Sequence, residues 1–241
     1  MPGLIAAEGI AGALALATGG LIYASVAPTS QIFGHTLIAG KDSRELALTF
    51  DDGPNDAATP QLLEVLARHN VRATFFLIGG FARQRPELVR AIRAAGHLIG
   101  NHTMTHPKLS LTPAGRVRQE LKECSAVLED ITGEAVAYFR PPFGARRPVV
   151  LRMARELGLT PVTWNVTAFD WNPIGEDAIL ANLNAGINGN RERRRGSNLL
   201  LHDGGHREMG ARRMDTVRAV ERLLEAHAGT ATRFVTVDAW T

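Results

Sequence analysis

Two adjacent aspartates, Asp51 and Asp52, stand directly before Gly53 and Pro54, and two histidines, His102 and His106, lie four residues apart further along the chain. Imidazoles at that spacing can be aimed at one point from a single helical turn or a tight loop. One added carboxylate gives a two-histidine, one-carboxylate set, which leaves positions on an ion open for water and substrate. Such a set suits Zn²⁺, and also Fe²⁺ or Co²⁺. Neither group is decisive alone: an Asp pair before Gly-Pro also makes a turn and helix cap, and an isolated His pair also serves in surface hydrogen bonding. A divalent ion beside a spare carboxylate points to hydrolysis, because the ion polarises a carbonyl and lowers the pKa of water toward ~7. Whichever aspartate does not hold the ion can act as general base. Arg140 can orient that carboxylate and keep it ionised. His202 can protonate a departing amine, with Asp170 holding it as a cation. Trp171, Trp164 and Phe143 offer aromatic faces to a sugar, although Trp164 suits core packing equally well.

The elements that must position these groups follow from hydrophobic periodicity. Short apolar runs predict strands over 46–50, 74–78, 97–100, 137–139, 161–166, 198–201 and 234–237. Amphipathic stretches predict helices over 60–69, 87–95, 113–131, 148–157, 177–185 and 215–227, with Thr112 placed to cap the third. Seven strands alternating with six helices indicate parallel βαβ units, as a closed barrel or an open sheet. Asp51 and Asp52, the histidine pair, Arg140, Asp170 with Trp171, and His202 each fall just past the C-terminal end of a different predicted strand. That is the edge where loops of parallel α/β folds converge on a shared site.

The chain has 241 residues, 45% of them hydrophobic and 21% charged, which is the composition of a folded domain. A formal charge of +3 is a mild basic excess. The densest basic run, Arg191 to Arg195 around Glu192, reads as a solvated loop. With only 6% aromatic residues, the chain lacks the basic-aromatic interleaving that nucleic-acid binding calls for. The single cysteine, Cys124, excludes an internal disulfide framework and a cysteine-built zinc site. Residues 9–27 carry no charge and have about the ~20 residues a membrane-crossing helix needs. No Lys or Arg precedes them, so the segment reads as an uncleaved anchor or signal-anchor more readily than as a cleaved signal. The expected organisation is an apolar segment and linker over 1–34 (the linker being 28–34), then a catalytic domain over 35–241, in a protein anchored at a membrane or secreted to the cell envelope.

Three stretches carry a family resemblance. Thr49-Phe50-Asp51-Asp52-Gly53-Pro54, His102-Thr103-Met104-Thr105-His106-Pro107 and Arg140-Pro141-Pro142-Phe143-Gly144 resemble three signature motifs of the polysaccharide deacetylases, carbohydrate esterase family 4. That group includes chitin, chitooligosaccharide, peptidoglycan and acetylxylan deacetylases. Asp170-Trp171 and Leu200-Leu201-His202 resemble its fourth and fifth motifs, and the likeness runs from about Leu46 to Val237.

The resemblance implies an α/β fold, a distorted, TIM-like (β/α)₇ barrel. It implies Asp51 as general base and Asp52, His102 and His106 as ligands of a divalent ion, Zn²⁺ first, with Co²⁺ or other divalent ions also suited. It further implies Arg140 as the tether of the base, Asp170 as the partner of both Arg140 and the acid His202, and the Phe143 backbone N–H as an oxyanion donor. Pro142, Phe143, Trp171 and Leu200 would contact substrate. The implied reaction removes N-acetyl groups, or O-acetyl groups, from a chitin-like or peptidoglycan glycan; the rival is the same chemistry on a lipid-linked or small amide. A binding protein without catalysis should lack one of Asp51, Asp52, His102, His106 or His202, and all five are present. Two departures stand out. Phe143 occupies a place where Tyr is common, and Thr167-Ala168-Phe169 supplies no acidic residue ahead of Asp170, which bears on substrate preference. Gly204, Gly205 and His206 after the fifth motif read as loop, from which His206 could also approach the site.

Overall fold

The computed structural model describes residues 18–241. Its strands are β1 (Glu45–Gly53), β2 (Thr74–Leu77), β3 (Leu98–Asn101), β4 (Tyr138–Phe139), β5 (Thr160–Pro161), β6 (Val166–Thr167), β7 (Ser197–His202) and β8 (Arg233–Phe234). All pair in parallel, in the order β5-β4-β3-β2-β1-β7-β6, with β8 joining the start of β1. The described part of α1 spans 18–26. It is followed by α2 (Thr59–Arg68), α3 (Gly79–Gln84), α4 (Pro86–Ala94), α5 (Ala114–Thr132), α6 (Pro148–Glu156), α7 (Gly175–Glu192) and α8 (Met214–His227). The result is a curved parallel sheet wrapped by helices, the distorted barrel expected.

Strand alternation explains why one sheet carries two cores. Leu46, Leu48 and Phe50 of β1 join Phe75, Leu77, Leu199 and Leu201 in the core shared with the helices. Ala47, on the opposite face, joins Phe76, Tyr138 and Val162 in a smaller core. Continuing that second face along β1 gives Thr49 and Asp51, and along β7 gives Asn198, Leu200 and His202. The inner face therefore changes from apolar to polar toward the C-terminal strand ends.

Four expectations need correction. The strand predicted over 161–166 is two short strands, β5 and β6, that do not pair with each other, and the barrel is open between them. Polar side chains replace the ladder there: Asn198 Nδ2 donates to the Thr163 carbonyl at 2.8 Å, and the Asn198 N–H donates to Asn165 Oδ1 at 2.8 Å. Leu37 bridges to Val162 beside the gap. Helix α7 runs seven residues past its predicted end at 185, because Gly186 acts as a packing residue and not a breaker: a Cβ there would lie 2.5 Å from Val166. Thr112 does not cap α5, since its hydroxyl donates to the Lys108 carbonyl and Pro113 precedes the helix. The stretch 28–34, expected as a linker, is packed on the domain. Arg146 donates to the carbonyls of Ala27 at 2.7 Å and Ser30 at 2.8 Å, and Ser30 is buried. Residues 9–17 of the apolar segment lie outside the described residues, among which no helix is long and apolar enough to cross a membrane.

Gly100 on β3 sits at the centre of the inner face. A Cβ there would fall 2.5 Å from the Phe76 ring, and that ring lies 4.3 Å under the Arg140 guanidinium. Gly100→Ala should therefore overpack the barrel and lower stability by about 1–3 kcal/mol. Urea denaturation should show a lower midpoint at unchanged slope; a midpoint equal to wild type would show that the inner core has slack.

Candidate metal centre and active site

Two consecutive strand residues normally point to opposite faces, yet Asp51 and Asp52 reach the same site. The β1–β2 register shifts between Asp51 and Gly53, and Asp52 takes a left-handed φ of 70°. This bulge turns the Asp52 side chain inward beside Asp51. The adjoining backbone must come very close to do so. A Cβ on Gly204 would lie 2.1 Å from the Asp52 carbonyl oxygen, and one on Gly53 would lie 2.5 Å from the Asp203 carboxylate.

The histidines stand on a tight loop after β3. His102 Nδ1 lies 2.8 Å from the Arg140 carbonyl, so it carries the proton and leaves the Nε2 lone pair free toward Asp52. Thr103 and His106 both have positive φ, at 68° and 58°. The loop is pinned by the Thr103 N–H to Asn101 Oδ1 at 2.8 Å, and by the Thr105 N–H and hydroxyl to buried Glu120 at 2.8 and 2.7 Å. His102 Nε2 and His106 Nε2 lie 3.4 and 3.1 Å from Asp52 Oδ1. One ligand atom from each of the three residues falls within 4.8 Å of the others. Asp52 Oδ1 is buried and has no hydrogen-bond partner among the described residues, as a ligand atom awaiting a cation should. Burial lowers the His106 pKa, which favours the neutral imidazole that binds metal. For Asp52, burial works to raise the pKa, but His102, His106 and His206 outweigh it and hold the carboxyl well below its ordinary range. The residues thus fit a divalent ion in charge, tautomer and geometry.

Asp51 is left beside this centre, its Oδ2 lying 3.7 Å from His102 Nε2. Its Oδ1 accepts from Arg140 Nη1 at 2.9 Å. Arg140, fully buried, also donates to Thr49 Oγ1 at 2.6 Å and Asn198 Oδ1 at 3.2 Å. Its guanidinium lies 4.3 Å from the Phe76 ring and 5.6 Å from the Trp164 ring. Burial pulls the Arg140 pKa below its usual value while Asp51 acts against that.

Opposite, Asp170 accepts from the His202 backbone N–H at 2.8 Å, while its other oxygen lies 2.8 Å from His202 Nδ1. Burial would lower the His202 pKa, but Asp170, with help from Asp52 and Asp51, lifts it to about 9. Here one expectation is corrected: Asp170 makes no hydrogen bond or ion pair with Arg140 among the described residues. Its second partner is Thr216 Oγ1 at 2.9 Å, while the Arg140 Nη atoms are engaged by Thr49, Asp51 and Asn198.

Asp51, Asp52, His102, His106 and His202 line one cavity of about 620 Å³ together with Phe143, Trp164, Trp171 and Leu200, while Arg140 and Asp170 stand behind it. Trp171 and Phe143 are 43% and 48% exposed, which leaves their rings free for a ligand. Pro142 does not belong to the lining: it is buried inside the turn that gives Phe143 its φ of 58°. No described residue accepts from the Phe143 N–H. Trp164, buried and donating to Thr167 at 3.0 Å, both packs and lines the cavity.

Other contributors had no legible signal. Thr49, Asn198 and Thr216 are ordinary strand and helix residues until the fold brings them to Arg140 and Asp170. Asp203 is buried behind Gly53, bonded by Thr59 at 2.5 Å and pushed by burial up to about 7. His206, read as loop, reaches the cavity wall; its place after the fifth motif was the one available hint.

Comparison with known proteins agrees with this geometry. Residues 39–162 match the family described as polysaccharide deacetylase. The chain is 42% identical over 167 residues to a chitooligosaccharide deacetylase of Rhizobium leguminosarum bv. trifolii, covering 69% of this chain and 74% of that protein. It is 36% identical over 195 residues to a peptidoglycan-N-acetylglucosamine deacetylase of Bacillus cereus, covering 80% of this chain and 66% of that protein. A crystal structure of a peptidoglycan N-acetylglucosamine deacetylase in complex with 4-naphthalen-1-yl-N-oxidanyl-benzamide superposes with a TM-score of 0.75 at 33% identity, covering 84% of this chain and 91% of that one. With its fold, its motif-bearing strand ends and these relatives in agreement, the chain belongs to the polysaccharide deacetylase family.

Proposed function

We propose that this protein is a divalent-metal-dependent hydrolase that removes N-acetyl groups from amino-sugar glycans of the chitooligosaccharide or peptidoglycan type. The observation that carries the reading is the convergence of Asp52, His102 and His106 on one point, beside a second carboxylate that Arg140 keeps out of the ligand set. Asp52 Oδ1 and the two Nε2 atoms would hold the ion, for which Zn²⁺ is the first choice and Co²⁺ a working substitute. When bound, that ion supplies a water of lowered pKa and a Lewis acid for the acetyl carbonyl.

The chain's own groups do the rest. Asp51 takes the water's proton on Oδ2, the oxygen Arg140 does not occupy, and Arg140 holds this carboxylate in place through Oδ1. The Phe143 N–H stabilises the oxyanion that develops on the acetyl group. His202, held as a cation by Asp170, donates its proton to the departing nitrogen, and acetate and a free amine are released. Trp171 and Phe143 stack on sugar faces at the cavity mouth. Glycans of this type place the protein at the cell envelope or outside it. The uncharged run 9–27 supports an anchor there, ahead of a catalytic domain over 35–241.

Acetate release should be detectable from at least one of N-acetylated chitooligosaccharides, peptidoglycan or acetylxylan, and release from none of them by metal-loaded protein would refute the reading. Asp51→Asn should lower kcat about 10²–10⁴-fold with metal content unchanged. Full turnover by that variant would remove Asp51 from the role of base. Because His202 must be protonated to act, activity should fall as pH rises toward about 9, and a bound cation should move this limb downward. Asp170→Asn removes the largest influence that raises His202, so its alkaline limb should move to lower pH than wild type. An unmoved limb in the kcat–pH profile would show that another group donates the proton.

A further inference from the structure

We infer that His206 is a positioning residue of the metal centre, fixing the ring of His106 and the outer oxygen of Asp52 for a divalent cation. The inference rests on the ligand set proposed above and adds a residue that this set does not include.

The two histidine ligands are not supported alike. The ring of His102 is oriented by its bond to the Arg140 carbonyl. Metal-binding imidazoles almost always have such a partner on the second nitrogen, and losing it costs about 10–100-fold in metal affinity. His106 lacks one, because its Nδ1 is buried with no hydrogen-bond partner among the described residues. Its orientation must come from packing. The His206 ring stacks on it at 4.5 Å between centroids and 20° between planes, while Phe143 presents an edge at 4.6 Å. Phe143 and His206 also meet, at 5.2 Å, so the three rings form one packed cluster around the His106 imidazole.

Asp52 shows a matching division. Its Oδ1 faces His102 and His106, whereas Oδ2 faces His206 Nδ1 at 3.7 Å. That gap is about 0.5–1 Å beyond a hydrogen bond, within reach of a small ring movement. A donor on Oδ2 fixes the rotation of the carboxylate and presents Oδ1 alone to the ion. His206 itself is not among the groups whose ligand atoms converge, so it supports ligands without being one. Its side chain is 35% exposed on the loop after β7, so replacing it should not unfold the domain.

The test uses the full chain stripped of metal. Zn²⁺ affinity is measured by competition with a chromophoric chelator, and the Co²⁺ absorption spectrum reports ligand geometry. His206→Ala should bind Zn²⁺ about 10–100-fold more weakly and alter the Co²⁺ spectrum, with the melting temperature of the metal-free protein unchanged. His206→Phe keeps the stack and His206→Gln keeps a donor, so each should restore part of the loss. A loss that neither restores would signal a displaced loop and overturn the inference. So would Zn²⁺ affinity within about twofold of wild type for His206→Ala, even with a raised KM for glycan, which would make His206 a cavity wall only. His102→Ala is the control. If it too leaves Zn²⁺ binding unchanged, the ligand set itself falls; if it abolishes binding while His206→Ala does not, only the present inference falls.

Discussion

The buried guanidinium of Arg140 is the constraint on which the site depends. A charge with no exposed surface is tolerated only when paired and hydrogen-bonded. Here Asp51 supplies the countercharge, Thr49 and Asn198 supply acceptors, and the rings of Phe76 and Trp164 lie close by. Those partners come from β1, β2, β7 and the segment between β5 and β6. Satisfying one cation therefore sets the relative position of four parts of the barrel mouth. The backbone of the same residue adds a further link, because its carbonyl selects the His102 tautomer. One residue thereby orients both the Asp51 carboxylate and the His102 ring of the proposed metal centre.

The barrel supplies direction, and strained loops supply convergence. Strand alternation alone would send Asp51 inward and Asp52 outward. The bulge at Asp52 overrides it, and positive φ values recur at Thr103, His106, Phe143 and Phe169 around the same cavity. Such conformations cost of order 1–3 kcal/mol each and persist only where surrounding contacts over-determine them. The contacts are visible: Glu120 anchors the loop of Thr105, Asn101 holds Thr103, and Gly53 and Gly204 let the backbones at the ends of β1 and β7 approach. The opening between β5 and β6 fits the same scheme. Asn198 occupies it with a side chain that bonds the Thr163 carbonyl and Arg140 at once, which a regular ladder would not allow.

Electrostatics then divides the acidic and basic groups into distinct states. Asp170 makes His202 a cation against the effect of burial, while His106 is pulled toward neutrality by burial. Two imidazoles in one cavity are thereby pushed toward opposite states, as the proposed proton donor and the proposed metal ligand require. The difference lies in which of them has a dedicated carboxylate behind it.

Local sequence was enough to establish the parallel α/β alternation and to place Asp51, Asp52, His102, His106, Arg140, Asp170 and His202 at the C-terminal edge of the sheet, although Asp51, Asp52 and His202 belong to the strands themselves. Apolar periodicity and chain punctuation are properties of neighbouring residues, so they can be read without coordinates. Family motifs added roles that chemistry alone could not divide between the two aspartates. Tertiary structure decided what depends on residues distant in sequence. It split the strand at 161–166, kept Gly186 inside a helix, turned Asp52 inward, moved Pro142 out of the cavity lining, and gave Asp170 Thr216 in place of Arg140. It also brought Thr49, Asn198, Asp203 and His206 to the centre. Each of these outcomes rests on packing between elements, on close backbone approach, or on the need to satisfy a buried charge, and none of those is encoded in a window of adjacent residues.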